Sequence, residues 1–369
     1  MTEQPVHGLA GAPAPRHWPA LTVRELVPVL RGYDVGDVLG IRWHSPRPWS
    51  SAAIVDTSIA PVFVKRHDRR VRDAAAVAAE HAFVRHLRSE GFPTPAVHEP
   101  TTEPPTSGRW TYQVFELAPG LDRYRARYSW TAYLSTTDAA TAGGLLARLH
   151  TASEGYEAAP RPGPRPLSNP LRLLHATDLV GAVKAYAADR PALAAFVAER
   201  PWEIDLNAAL PTHHARLQSY LAAEQPLWGH GDWHGSNLTW GSDTAVAAID
   251  FGLADRTCAA FDVATAVERA AIGWLDRLRG REPAVALTQV DAFLAGYAAV
   301  RGVSASAVAA FLPLVHVELA LSELDYFTRI VPRSGDAELA YRYLVDHARW
   351  FDGPGQRLLR RIRASSLTP

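Results

Sequence analysis

The texture of the chain changes at Pro119-Gly120, and that change limits the fold more than any other feature. Before it, short segments of alternating and β-branched residues follow one another: VLGIRWHS (38–45), SAAIVDTS (51–58), APVFVKRH (60–67), PAVHEP and RWTYQVFEL (109–117). Alternation with a period of two marks strands that bury one face. A single helical pattern interrupts them, running from Asp73 through AAAVAAEHAFVRHLRSEG to Gly91, with Pro93 just beyond. After Pro119-Gly120 the pattern is helical and Ala-rich, over 138–153, 179–190, 262–278, 286–301 and 305–331, broken by a short hairpin over 238–250. The expectation is an α+β chain in two lobes. A lead-in rich in Pro, Ala and Gly occupies residues 1–30, a small mixed lobe 31–117 and a larger helical lobe 118–369.

Charge and composition remove several classes of function. Thirty-eight basic and 38 acidic side chains leave no net charge to attract a polyanion, so nucleic acid is not an expected partner. The single cysteine, Cys258, permits no internal disulfide and no cysteine-built metal site. No apolar run is long enough to span a bilayer, and no basic leader followed by an apolar core opens the sequence, so no membrane is expected and the cytoplasm is the expected compartment. Nothing marks an obligate protein partner.

Two charged residues in the small lobe sit where charge is costly. Lys65 lies in a strand pattern with apolar neighbours. Glu80 falls on the helical stripe of Ala76, Val77, Phe83, Val84 and Leu87, so its carboxylate is expected to be buried and to need a partner. A lysine on the neighbouring strand is the natural candidate, and a Lys65–Glu80 pair would hold a cation ready for phosphate oxygens.

The densest cluster of functional groups is His230-Gly231-Asp232-Trp233-His234-Gly235-Ser236-Asn237. It can be read as a metal site, a phosphoryl-transfer loop or a crowded polar turn. The glycines argue against a regular strand that would align His230, Asp232 and His234 on one ion. GDWHG also resembles the first motif of metallophosphoesterases, but no GNH motif follows. A polar turn would not explain Asp250, which closes the apolar run AVAAI thirteen residues after Asn237. An amide oxygen and a carboxylate suit a hard cation such as magnesium, leaving Asp232 to face an acceptor hydroxyl.

With Ile249-Asp250-Phe251-Gly252, this loop resembles the aminoglycoside phosphotransferase and choline kinase-like family of small-molecule kinases. Lys65, Glu80, GLLARLH (144–150) and Phe261-Asp262-Val263-Ala264 follow the same order, and the resemblance covers about residues 35–330. It implies a bilobal, protein-kinase-like α+β fold, with a small N-terminal lobe of antiparallel sheet plus one helix and a larger helical C-terminal lobe. It further implies that Asp232 is catalytic, that Asn237 and Asp250 bind magnesium, and that Lys65, fixed by Glu80, contacts the phosphates of ATP or GTP. Phe115, Glu116 and Leu117 fall at the family's hinge, where backbone groups meet the nucleobase. His230 and His234 become groups that orient the loop.

One departure stands out. Where such kinases carry a glycine-rich flap, this chain has HSPRPWSSAA, in which Ser50 and Ser51 are the available donors and Pro46 and Pro48 stiffen the loop. The expected substrate is a small molecule with a hydroxyl acceptor. An antibiotic of aminoglycoside, macrolide or nucleoside type is the first reading. A metabolic kinase for choline, homoserine, thiamine or a sugar is the alternative, and a nucleotide-binding pseudokinase the third. Candidate acceptor contacts are Trp233, Trp274 and the acidic helical face of Glu318 and Asp325.

Overall fold

The computed structural model describes residues 15–101, 108–127, 129–162, 165–278 and 280–367. Five antiparallel strands form one sheet in the order β1-β2-β3-β5-β4: β1 (Val38–His44), β2 (Ser51–Thr57), β3 (Val62–Asp68), β4 (Val97–His98) and β5 (Trp110–Glu116). Helix α1 (Val23–Leu30), capped by Thr22, grows out of the expected lead-in. Leu26, Val29 and Leu30 are buried there with Val55, Val62, Val64 and Val114 from the sheet. Helix α2 (Ala74–Ser89) starts at Asp73, whose carboxylate accepts from the Ala76 amide at 2.8 Å. It ends where Gly91 takes a left-handed φ of 76°. Phe83, Val84 and Leu87 on α2 are buried in the larger core, and Phe83 meets Trp228 and Phe251. This helix therefore helps seat the small lobe on the large one.

The remainder is mainly helical, as its periodicity indicates. Helix α3 (Thr136–Ala152) is followed by α4 (Leu179–Ala188), α5 (Pro191–Ala198), α6 (Trp202–Ala209) and α7 (Pro211–Leu221). Four short strands build the loop region: β6 (Pro226–Gly229), β7 (Leu238–Trp240), β8 (Ala245–Ala248) and β9 (Asp255–Cys258), paired β6 with β9 and β7 with β8. Then come α8 (Ala259–Ala271), α9 (Trp274–Leu278), α10 (Leu287–Ala298), α11 (Ala305–Phe311), α12 (Val317–Asp325), a π-turn over Tyr326–Ile330, α13 (Ser334–Trp350) and α14 (Gln356–Arg363). Gly143 on α3 and Gly296 on α10 let these helices touch backbone to backbone, because a Cβ at either would strike a carbonyl of the other helix. Among the described residues no helix is long and apolar enough to cross a membrane.

Candidate active site

The loop His230–Asn237 leaves β6 and enters β7, and Asp250 follows β8, so the β7–β8 hairpin brings the two acidic positions together. The Ile249 amide donates to the Asn237 carbonyl at 2.9 Å, which sets Asn237 beside Asp250. The loop is held from below. Asp262, fully buried at the start of α8, accepts from the His230 amide at 2.7 Å and the Gly231 amide at 2.8 Å. Burial works against its charge, but His150, 3.1 Å away, with His230 and the Gly231 amide, keeps its pKa below the ordinary value. The GLLARLH and FDVA segments thus meet at one buried carboxylate.

Asp232 sits at the cleft wall with its side chain about one-fifth exposed. Its Oδ2 accepts from the Asn237 amide nitrogen at 3.0 Å, while Oδ1 lies 2.6 Å from Arg269 Nη1 and 3.4 Å from His234 Nε2. Burial alone would raise its pKa. The Arg269 guanidinium outweighs that, helped by His234, and holds the carboxylate ionised far below the usual range. Arg269, buried on α8, went unnoticed in the sequence. Its only signal there is a Glu268-Arg269 pair late in a mostly apolar helix.

Asp250 adopts a left-handed φ of 63°, a strained conformation for a non-glycine residue, and this turns its carboxylate to the cleft. Lys65 Nζ lies 2.7 Å from its Oδ1. Burial pushes the Asp250 pKa up, but Lys65 and Arg72 together depress it below the usual range. The expected Lys65–Glu80 pair is not what forms. Glu80 is buried as anticipated, yet its carboxylate faces two arginines, Arg72 at 3.5 Å and Arg161 at 3.8 Å. Against the cost of burial, Arg72, Arg161 and the more distant Lys65 hold its pKa at about 2. Two guanidiniums fill the role assigned to one ammonium, and Lys65 is released to Asp250.

Arg161 is buried although it lies in a Pro-rich connector between α3 and α4, PRPGPRP at 160–166. Its Nη1 donates to the Gly252 carbonyl and its Nη2 to the Phe251 carbonyl, both at 3.0 Å. The turn after Asp250 is therefore fastened to Glu80 on α2 through this guanidinium. Arg72 lies across Gly252 so closely that a Cβ there would collide with it.

Lys65, Arg72, Glu80, Asp232, Asn237, Asp250 and Arg269 all line one cleft of about 780 Å³ between the lobes. Phe115 and Leu117 line it at the end of β5, as do Ser50 and Ser51, although the Ser51 hydroxyl donates to the Pro19 carbonyl at 3.2 Å. The β1–β2 loop is fastened down. His17 donates its amide to the Pro48 carbonyl at 2.9 Å and stacks on Trp49 with ring centroids 5.9 Å apart. Trp49 in turn meets Phe327 edge-on at 5.1 Å and lies 6.1 Å from Tyr326, both in the π-turn of the large lobe.

The two histidines do not converge on an ion. His230 Nε2 bonds the Ile249 carbonyl at 3.0 Å and its ring sits against Trp233 and Phe251, whereas His234 Nδ1 bonds Ser236 Oγ at 3.0 Å. Among the described residues no group of three or more His, Cys, Asp or Glu is arranged to hold a metal.

The acceptor candidates fare differently. Trp233 is fully buried and lines no part of the cleft. Glu318 accepts from the Leu173 amide at 3.0 Å, and Asp325 is paired with Arg329 at 2.6 Å, both on the far side of α12. The face of α12 that meets the cleft carries Leu319 and Glu323, continued by Tyr326. Trp274 lines a side cavity next to the cleft.

Comparison with known proteins agrees with this geometry. Residues 49–303, well over half the chain, match the phosphotransferase enzyme family (APH). The chain belongs to that family, and its class is that of a small-molecule kinase. Among solved structures it is similar to a microcompartment-associated aminopropanol kinase, with 18% identity, TM-score 0.61 and coverage of 94% of this chain and 100% of the other. It is also similar to the amicoumacin kinase hAmiN, solved with AMP-PNP, Ca2+ and its antibiotic, with 14% identity, TM-score 0.57 and coverage of 94% and 95%. An aminoglycoside phosphotransferase from Alicyclobacillus acidocaldarius shares 16% identity over 90% and 95% of the two chains, with TM-score 0.52. At these identities the likeness is one of fold. No curated protein sequence matches the chain.

Proposed function

We propose that the chain transfers the γ-phosphoryl group of ATP or GTP to a hydroxyl of a small molecule, with Asp232, Asn237, Asp250 and Lys65 as the working residues. The observation that carries this reading is their convergence on one cleft, with Lys65 Nζ 2.7 Å from Asp250. The donors suit magnesium. The Asn237 amide nitrogen is committed to Asp232, so its side-chain oxygen is the atom that would join the Asp250 carboxylate as an all-oxygen pair for a hard cation. When bound, magnesium would neutralise charge on the phosphates. Lys65 and Arg72 supply further positive charge along the same wall.

Asp232 is a weak base, because Arg269 holds its pKa far below neutrality. Its work is to orient the acceptor hydroxyl and to take the proton late, once transfer has begun to make that hydroxyl acidic. Phe115, Glu116 and Leu117 would receive the nucleobase, His230 and His234 keep the loop in place, and the nucleotide-binding lobe would span 31–117. The acceptor is proposed to be an antibiotic, with a metabolic alcohol as the second reading, and the work to be done in the cytoplasm, where the nucleotide is available. The test is a thermal-shift screen with ATP and GTP, each with and without magnesium, followed by acceptors added to the saturated complex. A magnesium-dependent shift extended by one acceptor class supports the reading. No nucleotide shift in any condition would sink it in favour of a pseudokinase.

A further inference from the structure

Beyond Asp232 the cleft continues into a side cavity of about 70 Å³. Trp49, Trp130, Leu275 and Glu323 belong to the walls of both spaces. A water needs roughly 10–15 Å³ on this measure, so the side cavity accepts a group of several heavy atoms. Its walls are aromatic and aliphatic. Trp130 stacks on Tyr343 with centroids 5.8 Å apart, and Trp274 packs against His347 at 4.4 Å. The indole Nε1 of Trp274 has no hydrogen-bond partner among the described residues, a buried donor that a ligand oxygen would satisfy.

The charges along this path nearly cancel. Arg277 and Arg342 at the rim stand against Asp336 and Asp346, and Asp346 lies 3.9 Å from the first and 3.6 Å from the second. Asp232 is taken by Arg269. Asp336 has His17 near it, at 3.9 Å, which leaves Glu323, buried on α12, as the acid at the junction of the two spaces with no ion pair among the described residues. A polyamino sugar brings several ammonium groups, each needing its own carboxylate or water once desolvated. This wall offers Glu323, which burial keeps protonated until a basic amine arrives and takes that proton.

We infer that the acceptor is an alcohol with a bulky, largely apolar body, aromatic or branched aliphatic, and at most one amino group, which Glu323 receives while the body fills the space between Trp49, Trp130 and Trp274. The inference deepens the kinase reading and rests on it. Its first arm compares kcat/KM, and binding to the magnesium–nucleotide complex, for phenylpropanol, phenylalaninol, erythromycin and kanamycin. The apolar-bodied alcohols should bind and turn over in preference to kanamycin. The second arm uses Trp130→Ala at the cavity mouth and Leu339→Trp, a partly exposed position where added volume fills the cavity. Each should raise the KM of the best acceptor about tenfold, the loss expected for one buried ring face, with the nucleotide KM unchanged. Glu323→Gln should erase any advantage of phenylalaninol over phenylpropanol. A preference for kanamycin, failure of every apolar-bodied alcohol to bind the nucleotide complex, or an unchanged acceptor KM in both cavity variants overturns the inference. Failure of magnesium–nucleotide binding itself would instead bring down the kinase reading beneath it.

Discussion

Replacing Arg269 by methionine isolates one interaction on which the site depends. The variant keeps the length of the side chain and removes the cation 2.6 Å from Asp232. Breaking a largely buried ion pair by deleting one partner costs about 3–5 kcal/mol, because the other charge is stranded. Unfolding entropy of about 2.1 cal/mol/K per residue over 369 residues comes to about 0.8 kcal/mol/K, so the melting temperature should fall by about 4–6 °C. Pairing it with Asp232→Asn removes the stranded charge, and the double variant should regain about 2 kcal/mol or more relative to the sum of the singles. The sign of the pH dependence follows from the depressed pKa of Asp232. Its stabilising contribution is present above the ordinary value of 3.8 and lost as pH falls below it, so wild type and Arg269→Met should converge under acid conditions. The assay is calorimetry of the four proteins of the cycle at neutral and acid pH. Strict additivity, or a single-variant loss below about 1 kcal/mol, would refute the argument that Arg269 exists to keep Asp232 charged.

The remaining expectations concern binding and pH. Asp232→Asn should abolish turnover and leave nucleotide affinity almost intact, whereas Asp250→Asn should remove the magnesium-dependent part of that affinity, read by isothermal titration; equal losses would contradict the division of roles. Arg161→Met strips donors from two buried carbonyls, at about 1–3 kcal/mol each, and should lower stability together with magnesium–nucleotide affinity, while Lys65→Ala should mainly lower kcat. Burial holds both Glu318 and Glu323 at pKa about 8, so each prefers its proton when folded. Stability should therefore decline as pH rises from about 5 to 8, and Glu323→Gln should flatten that decline by up to about 4 kcal/mol in urea titrations at pH 8.

The strands and α2 were legible because each follows a local rule: alternation for the sheet, an N-cap aspartate and a terminal glycine for the helix. The burial of Glu80 was legible for the same reason, since a stripe position needs only the helix period. Its partners were not. Arg161 lies 81 positions away in a connector whose prolines advertise a loop, and nothing local aims its guanidinium at Phe251 and Gly252. On α12 the error was one of rotation. Adjacent residues on a helix point about 100° apart, so choosing Glu318 and Asp325 over Leu319 and Glu323 turned the wrong side to the cleft. Periodicity finds faces, but only packing against α13 and α5 says which of them is turned inward.

The β1–β2 loop has a consequence for traffic through the cleft. The lobes are joined covalently after β5, and on the opposite side by the rings of His17, Trp49, Tyr326 and Phe327. A door hung on one edge swings freely; one that is also latched at the other edge opens only as fast as the latch slips. Replacing Trp49 by alanine is therefore expected to shorten the residence time of any nucleotide held in the cleft, although the substitution touches no phosphate.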